Sequence, residues 1–236
     1  MGRFPNIAAA KAKTGAAKGK LYGMYAKEIY QTAKNGGVTP EGNPSLKRLI
    51  EKAKKDQVPS DVIKRAIDKV SSGAGEDYET LTYEIFGPAG STLMVKCLTD
   101  NVNRSVSDLR AVINKCHVKM GAMGSVSYMY DNLCVVGFKG LSEDEVMEAL
   151  IENDVDFVDL ENDGEQIIIY GQPQDLFKIK TAINSVKETD FTIDEISLLP
   201  KDRITLEGES LDEFNKLLAM LDEVDDVQSV YHNVNL

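Results

Sequence analysis

The spacing of apolar residues changes character once along this chain, near residue 71, and that change limits what the chain can build. Before it, apolar residues recur only at helical spacing. Tyr22, Tyr25, Ile29 and Ala33 mark a helix over residues 21–34, closed by Asn35-Gly36-Gly37, which tolerates the left-handed backbone that ends helices. Asn43 as cap and Pro44 at the first position open a second helix, with Leu46, Leu49, Ile50 and Ala53 on one face. After Val58-Pro59-Ser60 a third follows, on Val62, Ile63, Ala66, Ile67 and Val70. Three short amphipathic helices predict a small bundle. Residues 71–77, small and polar, break the pattern and predict a boundary. Residues 1–20 are mainly Ala, Lys and Gly with little to bury, and are expected to form a basic arm that orders only on a partner.

Beyond residue 77, alternating apolar runs enter. Residues 83–86 and 92–98 flank Gly87-Pro88-Ala89-Gly90 as a hairpin. A helix follows on Val102, Val106, Leu109, Val112 and Ile113, and then a strand over 125–130. Strand 134–138, helix 143–153, strands 156–160 and 166–170, helix 175–186 and strand 192–198 spell βαββαβ, the ferredoxin-like order. Strand 204–206, helix 211–221 and strand 227–232 then form a βαβ that needs the earlier hairpin to cover its sheet. The expected architecture is α+β in three lobes: a basic arm and helical domain at 1–77, a discontinuous ferredoxin-like domain from 78–131 and 200–236, and a second, acidic ferredoxin-like domain, 132–199, inserted into it.

Charge follows the same division. The whole chain carries a net charge of −11. Residues 1–70 nevertheless hold 15 Lys and Arg against 6 Asp and Glu, while residues 132–236 hold 7 against 25. Because salt screens charge over about 8 Å, a basic lobe set apart from an acidic one can still bind a polyanion. A face that serves only solubility mixes signs, so the surplus points to phosphate contact by Arg3, Lys11, Lys13, Lys18, Lys20, Lys27, Lys47, Arg48, Lys52, Lys54, Lys55, Lys64, Arg65 and Lys69. Asn101, Asn103, Arg104 and Ser105 are a second candidate phosphate contact, since free backbone amides at a helix start hold anions; simple helix capping explains the same residues.

No catalytic set emerges. His117 and His232 lie at no metal-like spacing, and Cys97, Cys116 and Cys134 form no CxxC and suit a reducing compartment. Residues 121–125 lack the Lys-Ser/Thr of a phosphate loop, and 161–165 has a turn composition only weakly like a calcium loop. The expectation is a non-enzymatic, cytoplasmic protein with no cofactor, no metal and no membrane span.

Several blocks resemble the YebC/PmpR family: residues 83–90 (YEIFGPAG), 98–104 (LTDNVNR), 124–129 (GSVSYM), 226–234 (DVQSVYHNV) and the third-helix segment 58–67 (VPSDVIKRAI). The short N-terminal form resembles the YeeN-type branch. Relatives usually carry Lys-Trp before the Asn-Ile, where this chain has Arg3-Phe4-Pro5 and no tryptophan anywhere, so no contact of that aromatic is carried over. The resemblance implies a three-domain protein that regulates transcription by binding duplex DNA. Translational relatives imply a ribosome-associated factor on ribosomal RNA, relieving stalling on proline-rich sequences, as the alternative. A third reading makes the acidic lobes a protein-interaction module.

Overall fold

The computed structural model describes residues 15–73, 75 and 77–236. In chain order its elements are α1 (Gly15–Gly36), α2 (Pro44–Lys55), α3 (Ser60–Ser71), β1 (Glu79–Phe86), β2 (Thr92–Thr99), α4 (Val102–Lys115), β3 (Lys119–Met120), β4 (Tyr130–Phe138), α5 (Glu143–Glu152), β5 (Asp159–Asn162), β6 (Ile167–Gly171), α6 (Leu176–Val186), β7 (Phe191–Pro200), β8 (Ile204–Thr205), α7 (Gly208–Asp222), β9 (Val227–His232) and β10 (Val234–Asn235). The class is α+β. Two compact units divide the chain, one of residues 124–206 with 231–236, the other of the described residues up to 123 with 207–230.

In the second of these, α1, α2 and α3 close over Tyr25, Ile29, Ala33, Leu46, Leu49, Ala53, Val58, Ile63 and Ala66. Local chemistry sets the helix ends. The Asn43 side chain accepts from Leu46 N at 3.1 Å and donates to the carbonyls of Thr32 and Gly37 at 3.0 and 2.9 Å, so one buried residue starts α2 and ties it to the end of α1. Gln57, at φ 60, turns the chain sharply between α2 and α3. Beside the bundle lies a four-stranded sheet in the order β3-β1-β2-β9, with β1 and β2 paired antiparallel along their whole length. The β1–β2 turn needs positive φ at Ala89 and Gly90. Leu109, Val112 and Ile113 of α4 and Phe214, Leu217 and Leu221 of α7 are buried apolar residues.

The other unit is built on the sheet β5-β6-β4-β7, whose neighbours all run antiparallel. With helices after its first and third strands this is the ferredoxin-like arrangement. Val136, Phe138 and Ile169 pack with Val146 and Leu150 of α5 and Ile179 and Ile183 of α6. A Cβ on Gly171 would lie 2.5 Å from Ile179 Cδ1, so α6 approaches the sheet as closely as glycine allows. Ser142 and Glu145 form a capping box at the start of α5.

Three expectations are corrected. α1 begins at Gly15, so residues 15–20 are helix rather than an arm waiting for a partner. Ala16, Ala17, Lys18 and Lys20 favour helix against Gly15 and Gly19, and Lys20 donates to the Asp222 carbonyl at the C-terminus of α7, where a cation is favoured. The arm residues 1–14 lie outside the described residues. Of the strand expected over residues 125–130, only Tyr130 is extended, as the first residue of β4: Gly124 turns at φ 87, Ser127–Met129 form a 3-10 helix, and Tyr128, which mimicked strand alternation, is exposed. The strand that joins the first sheet here is the two-residue β3. Finally, β8 does not join that sheet; it pairs in parallel with β10 as a two-stranded ribbon. Among the described residues, no helix is long and apolar enough to cross a membrane.

Candidate nucleic-acid interface

The structure sorts the basic residues of the bundle into two sets. Lys18, Lys47, Lys52, Lys54, Lys55, Lys64 and Arg65 are exposed. Lys47 and Lys54 stand seven residues apart on α2, about two helical turns, and so share a face. Among the described residues, no acid is paired with Lys47, Lys54 or Lys64. Arg65 is bound to Asp61, one turn back on the same exposed helix face. The other set is turned to the fold. Lys20 meets Asp222, Lys27 donates to Asp226 at 2.9 Å, and Arg48 and Lys69 are half-buried. Arg3, Lys11 and Lys13 fall outside the described residues. Lys52, Lys54 and Lys55 fill the last turn of α2, where cations also complement the helix dipole.

Between α1 and α3 runs a groove of about 320 Å³. Tyr22, Tyr30 and Tyr78 give it aromatic walls, Gly23, Ala26 and Ala66 keep it open, and Lys27, Arg65 and Lys69 supply cations. Tyr30 is fully engaged. Tyr78 meets its ring edge-on at 5.7 Å, and the Lys34 and Lys69 ammonium groups each lie 5.8 Å from the ring centroid. Lys34 also bonds Asp77, which lowers the Asp77 pKa and raises that of Lys34. Tyr22 and Tyr78 remain half-exposed.

The second candidate contact forms an internal clamp. Asn101 caps α4 by accepting from Arg104 N at 3.0 Å, and Ser105 is buried. The Arg104 guanidinium bonds Asp100 at 2.6 Å and both carboxylate oxygens of Asp226 at 3.0 Å. Thr99 donates to the same Asp226 carboxylate at 2.8 Å. Burial pushes the Asp226 pKa up, and the bonds from Lys27, Thr99 and Arg104 more than offset it, so the group stays below its ordinary value. Asp226 therefore joins α1, β2 and α4 through one carboxylate whose side chain is 1% exposed. Asn103 alone of this set is exposed with no side-chain hydrogen bond to the described residues.

Sequence reasoning missed Asp226, Thr99 and the tyrosines. Tyr22 reads from sequence as part of an apolar stripe and Tyr78 as the first residue of the middle domain, although tyrosines interleaved with lysines along 22–34 were the available signal. Burial pushes the Cys97 and Cys134 thiols up to about 11, which removes thiolate character. His232 is held below its ordinary pKa by burial and by the nearby Arg203 charge. Among the described residues, no cluster of three or more His, Cys, Asp or Glu could hold a metal ion.

Residues 2–73 match the family model described as the TACO1/YebC protein N-terminal domain, and residues 78–234 match that of the TACO1/YebC second and third domain. The chain is 44% identical over 238 residues to a protein of Alcanivorax borkumensis named "Probable transcriptional regulatory protein", covering 100% of both chains. It is 47% identical to a protein of the same name from Chromohalobacter salexigens, covering 100% of this chain and 99% of the relative. A crystal structure of a conserved hypothetical protein from Aquifex aeolicus resembles it with a TM-score of 0.80 at 34% identity, over 99% of this chain and 96% of that one.

Proposed function

Because the chain belongs to the TACO1/YebC family, whose relatives carry a regulatory name, we propose that it is a non-enzymatic, cytoplasmic regulator of gene expression that grips a nucleic-acid backbone with the outer face of α2 and α3. The observation that carries this reading is the exposed state of Lys47, Lys54 and Lys64, with no acid paired to them among the described residues, on a bundle whose Lys20, Lys27 and Lys34 are bound to acids of the fold. Phosphates would neutralise these cations and release counterions. In the proposed division of labour, 1–77 is the contacting lobe, while 78–131 with 200–236 and the acidic 132–199 face basic proteins or solvent. Asn101, Arg104 and Ser105 serve the fold first, and the exposed Asn103 is the member best placed to add a phosphate contact.

Duplex DNA is the first target, following the relatives' name. One observation favours ribosomal RNA as a second reading. The cations are spread over two helices, and the first turn of α3 carries Asp61, so the face suits phosphate and shape recognition better than base reading from one helix start. The test is binding of the full chain to labelled duplex DNA and to a labelled structured RNA across a salt series. Replacing Lys47, Lys54 and Lys64 by Ala should lower the log–log salt slope by roughly 2 to 3, about 0.9 per lost phosphate contact on a duplex. An unchanged slope and affinity on both probes would overturn the reading. Promoter-selective duplex binding would favour transcription, and tighter binding to RNA at physiological salt would favour translation.

A further inference from the structure

We propose that the groove between α1 and α3 receives one unpaired nucleotide of the strand whose backbone the basic face holds; this rests on the nucleic-acid reading above and adds a second, base-binding element to it. Arg65 and Lys69 lie at the groove one turn apart on α3, the helix that also carries the exposed Lys64. Its volume of about 320 Å³ falls at the small end of ligand sites, the scale of one nucleotide rather than a helix or a peptide.

The lining suits a nucleotide in both of its parts. Tyr22 and Tyr78, half-exposed on the walls, offer aromatic surface for a base to stack on, a contact that every base can make. Lys69, over the Tyr30 ring, and Arg65, beside its Asp61 partner, place positive charge at the groove where the attached phosphate would lie. Gly23 keeps the space clear. It sits inside α1, where glycine weakens a helix relative to alanine, and a Cβ built there meets nothing within 4 Å. A base within a duplex is paired and stacked and cannot enter such a groove, so the site selects bulged, looped or single-stranded positions.

Substitutions can separate the groove from both the backbone face and the core. Gly23→Leu fills the space from an exposed helix position and improves helix propensity. Tyr22→Leu keeps apolar bulk and removes the ring, and Tyr22→Phe restores the ring. The experiment measures binding of the full chain to labelled hairpins, as RNA and as DNA, each with or without one bulged nucleotide, with thermal melts of every variant as the folding control. The native chain is expected to prefer the bulged hairpin by roughly tenfold, a typical worth for one stacked base. Gly23→Leu and Tyr22→Leu should lose that preference while holding fully paired hairpins as before, and Tyr22→Phe should keep it. A bulge preference seen with RNA alone or with DNA alone supports the site and identifies its source. A native chain that binds hairpins without bulge preference, or a Gly23→Leu chain that keeps it, overturns the groove proposal and leaves the backbone reading standing. A native chain that binds no hairpin overturns both.

Discussion

Asp226 bonds α1 to β2 and α4, and its replacement by Ala has a calculable cost. Its carboxylate takes bonds from Lys27 at 2.9 Å, Thr99 at 2.8 Å and Arg104 at 3.0 Å while its side chain is 1% exposed. Removing one partner of a buried ion pair costs about 3–5 kcal/mol, because the other charge is left buried. Two features reduce that here. The Lys27 and Arg104 side chains are 22% and 45% exposed and can turn to water, and Arg104 keeps Asp100. The expected cost is therefore about 2–3 kcal/mol, or a fall in Tm of roughly 5–10 °C for a chain of this size. Calorimetry of the native and Asp226→Ala chains at neutral pH reads it directly. In the Asp226→Ala background, Lys27→Met should cost almost nothing more, since both changes remove the same contact. Because the folded pKa of Asp226 lies below its unfolded value near 4, the contribution is complete above that value and disappears as pH falls through the folded pKa. A Tm within about 2 °C of the native chain, or full additivity with Lys27→Met, would show that Asp226 does not couple these cations.

Asn43→Ala removes the cap of α2 and two bonds to the end of α1, and should destabilise by about 2 kcal/mol in urea unfolding; a loss below about 0.5 kcal/mol would show the bonds to be dispensable. His232, with its folded pKa below the unfolded value near 6.5, stabilises the fold above that value and loses this as pH falls below it. Melting measured from about pH 7 to about pH 5.5 should slope downward in the native chain and be flatter in His232→Phe, above the range where most carboxylates titrate. In thiol labelling of the native protein, half-exposed Cys116 should react first, with Cys97 and Cys134 protected until unfolding; early modification of either buried thiol would contradict their placement.

What could be read from the sequence was what neighbouring residues determine. Asn43-Pro44 announced α2, the stripe from Val62 to Val70 announced α3, and βαββαβ was legible because each strand and helix of 134–198 carries its own period. The surplus of Lys and Arg in residues 1–70 was equally plain, but its partition into outward and inward cations was not. Lys27 is committed by Asp226, 199 residues away, and Arg104 by the same carboxylate from 122. No local pattern encodes such a pairing. Periodicity also misled where side chains alternate without pairing, as over 125–129, and at the start of α1, where no large apolar residue marks the helix in the sequence. The groove went unseen because its two walls, α1 and α3, meet only in the fold.

The central claim, that the outer face of the bundle holds nucleic acid, is tested most directly by mapping contacts residue by residue. The full chain is cross-linked by ultraviolet light to duplex DNA and, separately, to structured RNA at physiological salt, and the modified peptides are identified by mass spectrometry. Cross-links are expected to concentrate between residues 44 and 71, around Lys47, Lys54 and Lys64, with few in the acidic segment 132–199. Cross-links confined to 132–199, or absent from α2 and α3 on both nucleic acids, would contradict the claim.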